Sequence, residues 1–247
     1  MPVLELQNVG KCYFLHHKRQ LLAQRVASRI RGGKASFWAL RNLDLQIEAG
    51  ETVGVVGANG AGKSTLLSIA VGVTSPTEGT VIRRGRVAAL LELGSGFHAD
   101  LTGRENIHLN AALLGYTRAM VRERLESIVE FAGIPDFIDE PLRTYSTGMM
   151  ARLGFSVAIH LDPDVLVLDE VLAVGDAEFQ KKCVDKILDF RDQGKTLLFV
   201  SHSPGAVESL CRRAVWIEMG QVRRDGPAGE VVAEYRESAS AISAVGV

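Results

Sequence analysis

One stretch constrains this chain more than any other, "ETVGVVGANGAGKST" from Glu51 to Thr65. Its first half is short, Val-rich and ends in glycine, the pattern of a buried central strand. Its second half is a Gly-rich turn that opens an apolar-periodic helix at Lys63. The start of a helix leaves N–H groups without intrahelical partners and carries the positive end of the helix dipole. Gly57, Asn59, Gly60, Ala61 and Gly62 form a turn whose glycines let the backbone bend tightly and aim its N–H groups at one point. Lys63 adds a point charge there, followed by Ser64 and Thr65. The spacing G-x-x-x-x-G-K-[ST], set between a strand and a helix, predicts a site for the phosphates of a nucleoside triphosphate. Lys63 faces the β and γ phosphates, and the Ser64 hydroxyl ligates Mg²⁺.

The segments around this unit predict an α/β chain. "VLELQNVGKCYF" and "LRNLDLQI" alternate apolar and polar residues and read as half-buried strands. "GTVIRRGRVAALLEL" reads as further short strands. From about residue 101 to 160 the period becomes helical. Thr102 and Glu105 have capping-box spacing, and Val121, Leu125, Ile128, Val129 and Ala132 share one helical face. "DVLVLDE" and "KTLLFVSH" then return as buried strands around the helix "AEFQKKCVDKILDFRDQG". Strand, helix, strand with continuous apolar runs implies a parallel sheet. "AVWIEMGQVRRDG" reads as a late hairpin, and the small residues of 239–247 read as a loose tail on a domain spanning 1–238.

Two acids end the strand "VLVLDE", a costly arrangement unless something uses them. Downstream of a phosphate loop, Asp169 is placed to hold Mg²⁺ through water, and Glu170 to orient or deprotonate an attacking water. His202 follows another buried strand. Parallel strands of such a sheet end on the nucleotide's edge, which puts His202 near the γ-phosphate.

Composition narrows the partners. The net charge is -1, which provides no global field toward nucleic acid or membrane. Cys12, Cys183 and Cys211 are far apart and show no metal or disulfide spacing, so they read as reduced thiols. No apolar run reaches the roughly 18 to 20 residues that cross a bilayer, and the first residues lack a signal-peptide pattern. From Lys11 to Lys34 there are seven Lys or Arg and no acid, with Leu22, Val26 and Ile30 on one stripe. That segment is either a solvated surface helix or a basic amphipathic element facing lipid or a membrane partner.

Taken together, "GANGAGKST", "YSTGMMARLGFSVAIHLDPDVLVLDE", "DEVLAVGD" and "FVSHS" resemble, in order and spacing, the ATPase subunits of ABC transporters. The resemblance covers nearly the whole chain. It implies a P-loop NTPase of ABC type: a mostly parallel core sheet, an N-terminal antiparallel β subdomain and an inserted helical subdomain. It implies ATP and Mg²⁺ as cofactors, with Glu170 and His202 catalytic and Tyr13 stacking on the base. "YSTGM" stands where the family has Leu-Ser-Gly-Gly-Gln; Ser146 and Gly148 match, while Thr147 and Met149 depart. Read alone, Ser146 is a helix N-cap; in the family that helix start meets the γ-phosphate held by another subunit. Asp176 matches the acid of the loop after the catalytic glutamate. The glutamine that the family places near Leu93 is absent, with Glu92 adjacent.

"LELGSGFHADLTGRENI", "YSTGM" and "DEVLAVGDAEFQKKC" further resemble the ATPases that export O-antigen, capsule or teichoic acid chains. The resemblance implies a peripheral subunit on the cytoplasmic face of the inner membrane. It implies a homodimer, an integral membrane permease as partner and a lipid-linked polysaccharide as cargo. Some members carry a further C-terminal carbohydrate-binding domain; the sequence stops soon after "VVAEYRES", which fits either the short type without that domain or a longer chain cut before it. Two other readings remain open here: an ABC transporter ATPase for a different cargo, or a soluble ABC ATPase acting on nucleic acid or ribosomes. The absence of a basic excess and of sustained heptads weighs against nucleic acid.

Overall fold

Strands that are apolar at every position need cover on both faces, and that need organises this molecule. In chain order the strands are β1 (Pro2–Phe14), β2 (Ser36–Glu48), β3 (Thr52–Val56), β4 (Glu78–Arg83), β5 (Val87–Leu90), β6 (Val165–Asp169), β7 (Thr196–Val200), β8 (Arg213–Glu218) and β9 (Gln221–Pro227). The helices are α1 (Lys63–Val71), α2 (Gly103–Leu113), α3 (Arg118–Ala132), α4 (Thr147–His160), α5 (Ala177–Asp192), α6 (Pro204–Leu210) and α7 (Ala228–Val245). This computed structural model describes residues 1–14, 36–90, 96–169 and 175–245.

Two sheets result. β2-β1-β4 is a three-stranded antiparallel sheet, and β5-β6-β7-β3-β8-β9 is a six-stranded sheet that is parallel except for the edge strand β9. The mostly parallel core and the antiparallel subdomain are those of the predicted α/β class. β3 and β7 are buried at all five positions. Successive side chains of a strand point to opposite faces. Val53, Val55, Leu198 and Val200 therefore pack toward the antiparallel sheet and α1, against Leu6, Leu45 and Leu66. Val56, Leu197 and Phe199 pack the other way, against Phe179, Cys183 and Ile187 of α5 and Val207 of α6. Each large apolar side chain so buried contributes about 1.5 to 3 kcal/mol. Helix α6 lies so close to β3 that a Cβ on Gly54 would meet Val207 Cγ1 at 2.2 Å.

Residues 103 to 160 form a helical lobe between β5 and β6. Its first helix carries the capping box read from the sequence. Glu105 N–H donates to Thr102 Oγ1 at 3.2 Å, and Thr102 N–H donates to Glu105 Oε2 at 2.8 Å. On α3, Val121, Ile128 and Ala132 of the apolar face are buried, with Leu125 and Val129 packed beside them. The late hairpin is β8–β9, closed by a two-residue turn at Met219 and Gly220. Where small residues suggested a loose tail, residues 239–245 continue α7; alanine, frequent there, is the best helix former.

Cys183 on α5 and Cys211 after α6 are 1% and 5% exposed, and burial pushes both thiols up to about 12. Only the thiolate attacks an alkylating reagent. Iodoacetamide at pH 8 is expected to label the half-buried Cys12 first in the native protein, and Cys183 and Cys211 only after urea unfolding. Peptide mass spectrometry reads the order; native labelling of Cys183 at the Cys12 rate would contradict this packing.

Candidate functional site

Parallel strands in register end along one edge, and three neighbouring strands do so here. β3 pairs with β7 and β7 with β6, with Val55 opposite Val200 and Val200 opposite Asp169. With strands about 4.8 Å apart, Asp169 lies roughly 10 Å across the edge from β3. The Gly-rich loop leaves β3, and His202 follows β7, both at that edge. Together they border a cleft of about 360 Å³ lined by Asn59, Gly60, Gly62, Lys63, Ser64, Thr65, Asp169 and His202, with Phe37, Ala39 and Val200.

The loop is held from behind. Gly57 has φ 154°, and a Cβ there would meet the Ile217 carbonyl oxygen at 2.3 Å, so only glycine fits. Ala61 is buried; its carbonyl accepts from Gly220 N–H at 2.9 Å, tying the loop to the β8–β9 turn. Lys63 is 6% exposed, and its ammonium donates to the Gly57 and Ala58 carbonyls at 2.7 and 3.0 Å. Helix α1 starts at Gly62 with no side-chain cap and no acid in its first turn. Its terminal N–H groups and dipole are left for an anion.

The donors fit Mg²⁺ delivered with a nucleotide. Ser64 and Asp169 line the same cleft. Among the described residues no group of three or more His, Cys, Asp or Glu is arranged to hold a metal. One hydroxyl and one carboxylate hold a hard cation only together with phosphate oxygens and water, the usual mode for Mg²⁺.

Sequence reading did not single out Phe37. Phe37 and Ala39 are alternate residues of β2 and share the face that lines the cleft. Tyr13 pairs with Phe37 across the β1–β2 ladder but is not among the lining residues. The Lys11 ammonium lies 5.2 Å from the centre of its ring. The signal was available as the exposed aromatic pair that the ladder brings face to face. Glu170, Glu92, Leu93 and the basic stretch from residue 15 to 35 lie outside the described residues.

Ser146, Gly148 and Asp176 gather elsewhere. With Arg152, Met149, Gly175 and part of the segment after α3 they line a second cleft of about 450 Å³, which shares no residue with the first. Ser146 caps α4 by accepting from Met149 N–H at 3.2 Å. Asp176 caps α5, accepting from Phe179 N–H at 2.9 Å, and is paired with the Arg152 guanidinium. The Phe179 N–H bond, helped by Arg152, holds its carboxyl below the usual carboxylate range. Arg152 also rests on the Phe179 ring, 5.1 Å from its centre. No sequence motif marks Arg152; only the packing of α4 on α5 brings it to Asp176.

A carboxylate with a lowered pKa stabilises the fold above its unfolded value and loses that contribution as pH falls through the folded value. The difference between the urea midpoints of wild type and Asp176→Asn should therefore be full at pH 7 and shrink progressively as pH falls below the free carboxyl's ~3.9. A gap that stays constant as the carboxyl is titrated would contradict a role for the charged form.

Comparison with known proteins agrees with this geometry. The family model described as "ABC transporter" matches residues 40–173. An O-antigen export system ATP-binding protein of Klebsiella pneumoniae is 47% identical over 244 residues, covering 96% of this chain and 98% of that protein. One of the same description from Myxococcus xanthus is 54% identical over 202 residues, covering 82% of this chain; the match spans 46% of that longer relative. Among solved structures, a dimeric ATP-binding cassette in a post-hydrolysis state, bound to ADP and Pi, superposes with TM-score 0.71 at 23% identity. It covers 91% of this chain and 98% of its own.

Proposed function

We infer the function of this chain from one premise: it belongs to the ABC transporter family, as an ATP-binding subunit. We propose that it hydrolyses ATP to drive a lipid-linked polysaccharide out through a separate membrane permease. The observation that carries the mechanism is the separation of the two clefts, which share no residue within one chain. Both are built partly from helix starts: α1, whose N–H groups have no side-chain cap, and α4, whose cap Ser146 takes up only the Met149 N–H. A two-fold arrangement brings the α4 start of one chain over the α1 start of its partner, so a dimer has two complete sites.

In each site the roles follow the chemistry of the side chains. The backbone from Gly57 to Gly62 and the start of α1 cradle the phosphates, and Lys63 exchanges its two carbonyl partners for β and γ oxygens. Phe37 and Tyr13 provide the aromatic surface for the base, which tolerates any base. Ser64 and Asp169 would hold Mg²⁺, which would supply neutralisation of the phosphate charge. Glu170 takes the proton of the attacking water, and His202 stabilises charge at the γ-phosphate. Ser146 and Gly148 close on the phosphate from the partner chain, while Asp176 stands at the interface. Binding of ATP joins the two chains and hydrolysis releases them, a two-state cycle that a permease can read.

The permease contact is a groove of about 210 Å³ between the parallel sheet and the helical lobe, lined by Val73, Leu90, Phe97 and Leu113 among others. Val73 is 76% and Leu113 is 69% exposed, so this apolar surface lacks cover in the isolated chain. Among the described residues no helix is long and apolar enough to cross a membrane, which suits a peripheral subunit at the cytoplasmic face. The polysaccharide cargo is supported by the Klebsiella relative, described as an O-antigen export system ATP-binding protein, which matches nearly end to end.

Glu170→Gln removes the base and leaves the phosphate cradle. Hydrolysis should fall by about 10² to 10⁴ while ATP binding persists and dimers accumulate in light scattering with ATP and Mg²⁺. Lys63→Ala should instead weaken nucleotide binding itself. Wild-type turnover in the first variant, or wild-type affinity in the second, would sink the assignment.

The cargo is tested in the host. Deleting the gene should remove surface polysaccharide and leave lipid-linked chains inside, with rescue by wild type and none by Glu170→Gln. Unchanged surface polysaccharide would overturn the cargo while leaving the ATPase chemistry standing.

A further inference from the structure

The phosphate loop carries a chemical liability of its own. Asn59–Gly60 is the one Asn-Gly pair in the chain. In any asparagine the backbone nitrogen of the next residue can close on the side-chain Cγ through a five-membered ring. Two things normally prevent it: a side chain on the next residue, and hydrogen bonds that hold the two groups apart. Glycine removes the first obstacle and accepts backbone angles of either sign.

The structure removes the second. Residues 58–60 are exposed, and Asn59 lines the nucleotide cleft beside Lys63. Among the described residues, neither the Asn59 carboxamide nor the Gly60 N–H makes a hydrogen bond. A Cβ placed on Gly60 would meet nothing within 4 Å, so the peptide link before it has open space. The turn is closed by Ala61 N–H donating to the Ala58 carbonyl at 3.1 Å, with Gly60 at φ 79°. The 59–60 peptide lies at the outer tip of that turn, and it rotates without breaking the closing bond.

The other asparagines are held differently. Asn106 is 0% exposed, and its amide donates to the His98, Leu101 and Thr102 carbonyls. Asn110 lies in α2 and donates to the Asn106 carbonyl. Asn8 and Asn42 precede Val9 and Leu43, both branched and 0% exposed. The one Asp-Gly pair, Asp225–Gly226, would react through the same ring, but both Asp225 oxygens accept from the Arg213 guanidinium at 2.7 Å.

We propose that Asn59 is a self-modification site that retires the phosphate loop when the loop stands empty. The Gly60 amide loses its proton to water, and its nitrogen bonds to Asn59 Cγ. The side-chain nitrogen takes up that proton equivalent and leaves as ammonia. Water then opens the cyclic imide. Cleavage at Cγ leaves an aspartyl residue; cleavage at the main-chain carbonyl leaves an isoaspartyl residue, whose backbone is one carbon longer. No oxidant or reductant takes part. Either product places a carboxylate in the cleft where phosphate oxygens belong, and the longer backbone also misaims the N–H groups of the turn. Bound triphosphate engages those N–H groups and stops the peptide from rotating, so the filled loop is protected. The consequence for ATP rests on the proposed function; the chemistry at Asn59 does not.

The test ages the full chain in mildly alkaline buffer, with and without a non-hydrolysable ATP analogue and Mg²⁺. ATP affinity and ATPase activity are measured on fresh protein and on aliquots. Peptide mass spectrometry follows the amide-to-acid change at each asparagine. The Asn59 peptide should change first, and the loss of activity should match the modified fraction one for one. Analogue at a hundredfold excess over its Kd leaves about 1% of loops empty and should slow the change by about 100-fold. Asn59→Gln needs a six-membered ring for the same reaction, so it should hold its own starting activity over the period in which wild type decays. Asn59→Asp should lack ATP affinity from the start with an unchanged urea midpoint, since the position is exposed.

An Asn59 peptide that stays intact in the empty native protein while it changes in the urea-unfolded chain overturns the proposal. So does modified protein that keeps full activity, or modification at an equal rate with the analogue bound. Failure of the proposed function reads differently: fresh wild type would lack ATP affinity before any ageing. Modification of Asn59 ahead of the other asparagines would then uphold the site and withdraw only its consequence for ATP.

Discussion

The structure depends on the register of three parallel strands. β6, β7 and β3 lie side by side with Asp169, Val200 and Val55 level across them. Parallel pairing forces all three to end on one edge, so the groups just past their ends meet without any long side chain reaching across. The price of that arrangement is cover on both faces, met by the antiparallel sheet and α1 on one side and α5, α6 and α7 on the other. A shift of one residue in β7 would send Leu198 and Phe199 to the wrong faces and would also move His202 off the cleft. Burial and site geometry are therefore fixed by the same register.

The rigidity of the phosphate loop comes from outside the loop. Its backbone is pressed on by β8 at Gly57 and tied at Ala61 to the β8–β9 turn, whose Gly220 carbonyl also accepts from Arg41 N–H of β2 at 2.9 Å. Elements distant in sequence thus hold one turn in shape. Preorganised N–H groups need no reorganisation when charge arrives, which is where electrostatic stabilisation gains its strength. Lys63, already desolvated and hydrogen-bonded to the loop, belongs to the same preparation.

Helix starts recur as the chemical unit of this fold. α1 leaves its start without a side-chain cap, whereas α4 and α5 cap theirs with Ser146 and Asp176. The uncapped start carries the phosphate loop, and the capped ones line the second cleft. Arg152 of α4 pairs with Asp176 at the start of α5, which holds the two helices together beside this cleft.

Much of this was legible in the sequence. The Val-rich run ending in glycine, the turn and Lys63 determined a buried strand, a phosphate loop and a helix, because backbone sterics and helix polarity leave few other uses for that pattern. The Thr102 and Glu105 spacing determined a helix start, since the bonds it makes are local. Alternation in β1 determined a half-buried strand. Tertiary structure decided what depends on contacts between distant segments: that Phe37 rather than Tyr13 lines the cleft, and that Arg152 reaches Asp176. It also decided that Ser146 and Lys63 occupy separate clefts within one chain. No local pattern encodes these distances, because they follow from strand register and helix packing across the whole chain.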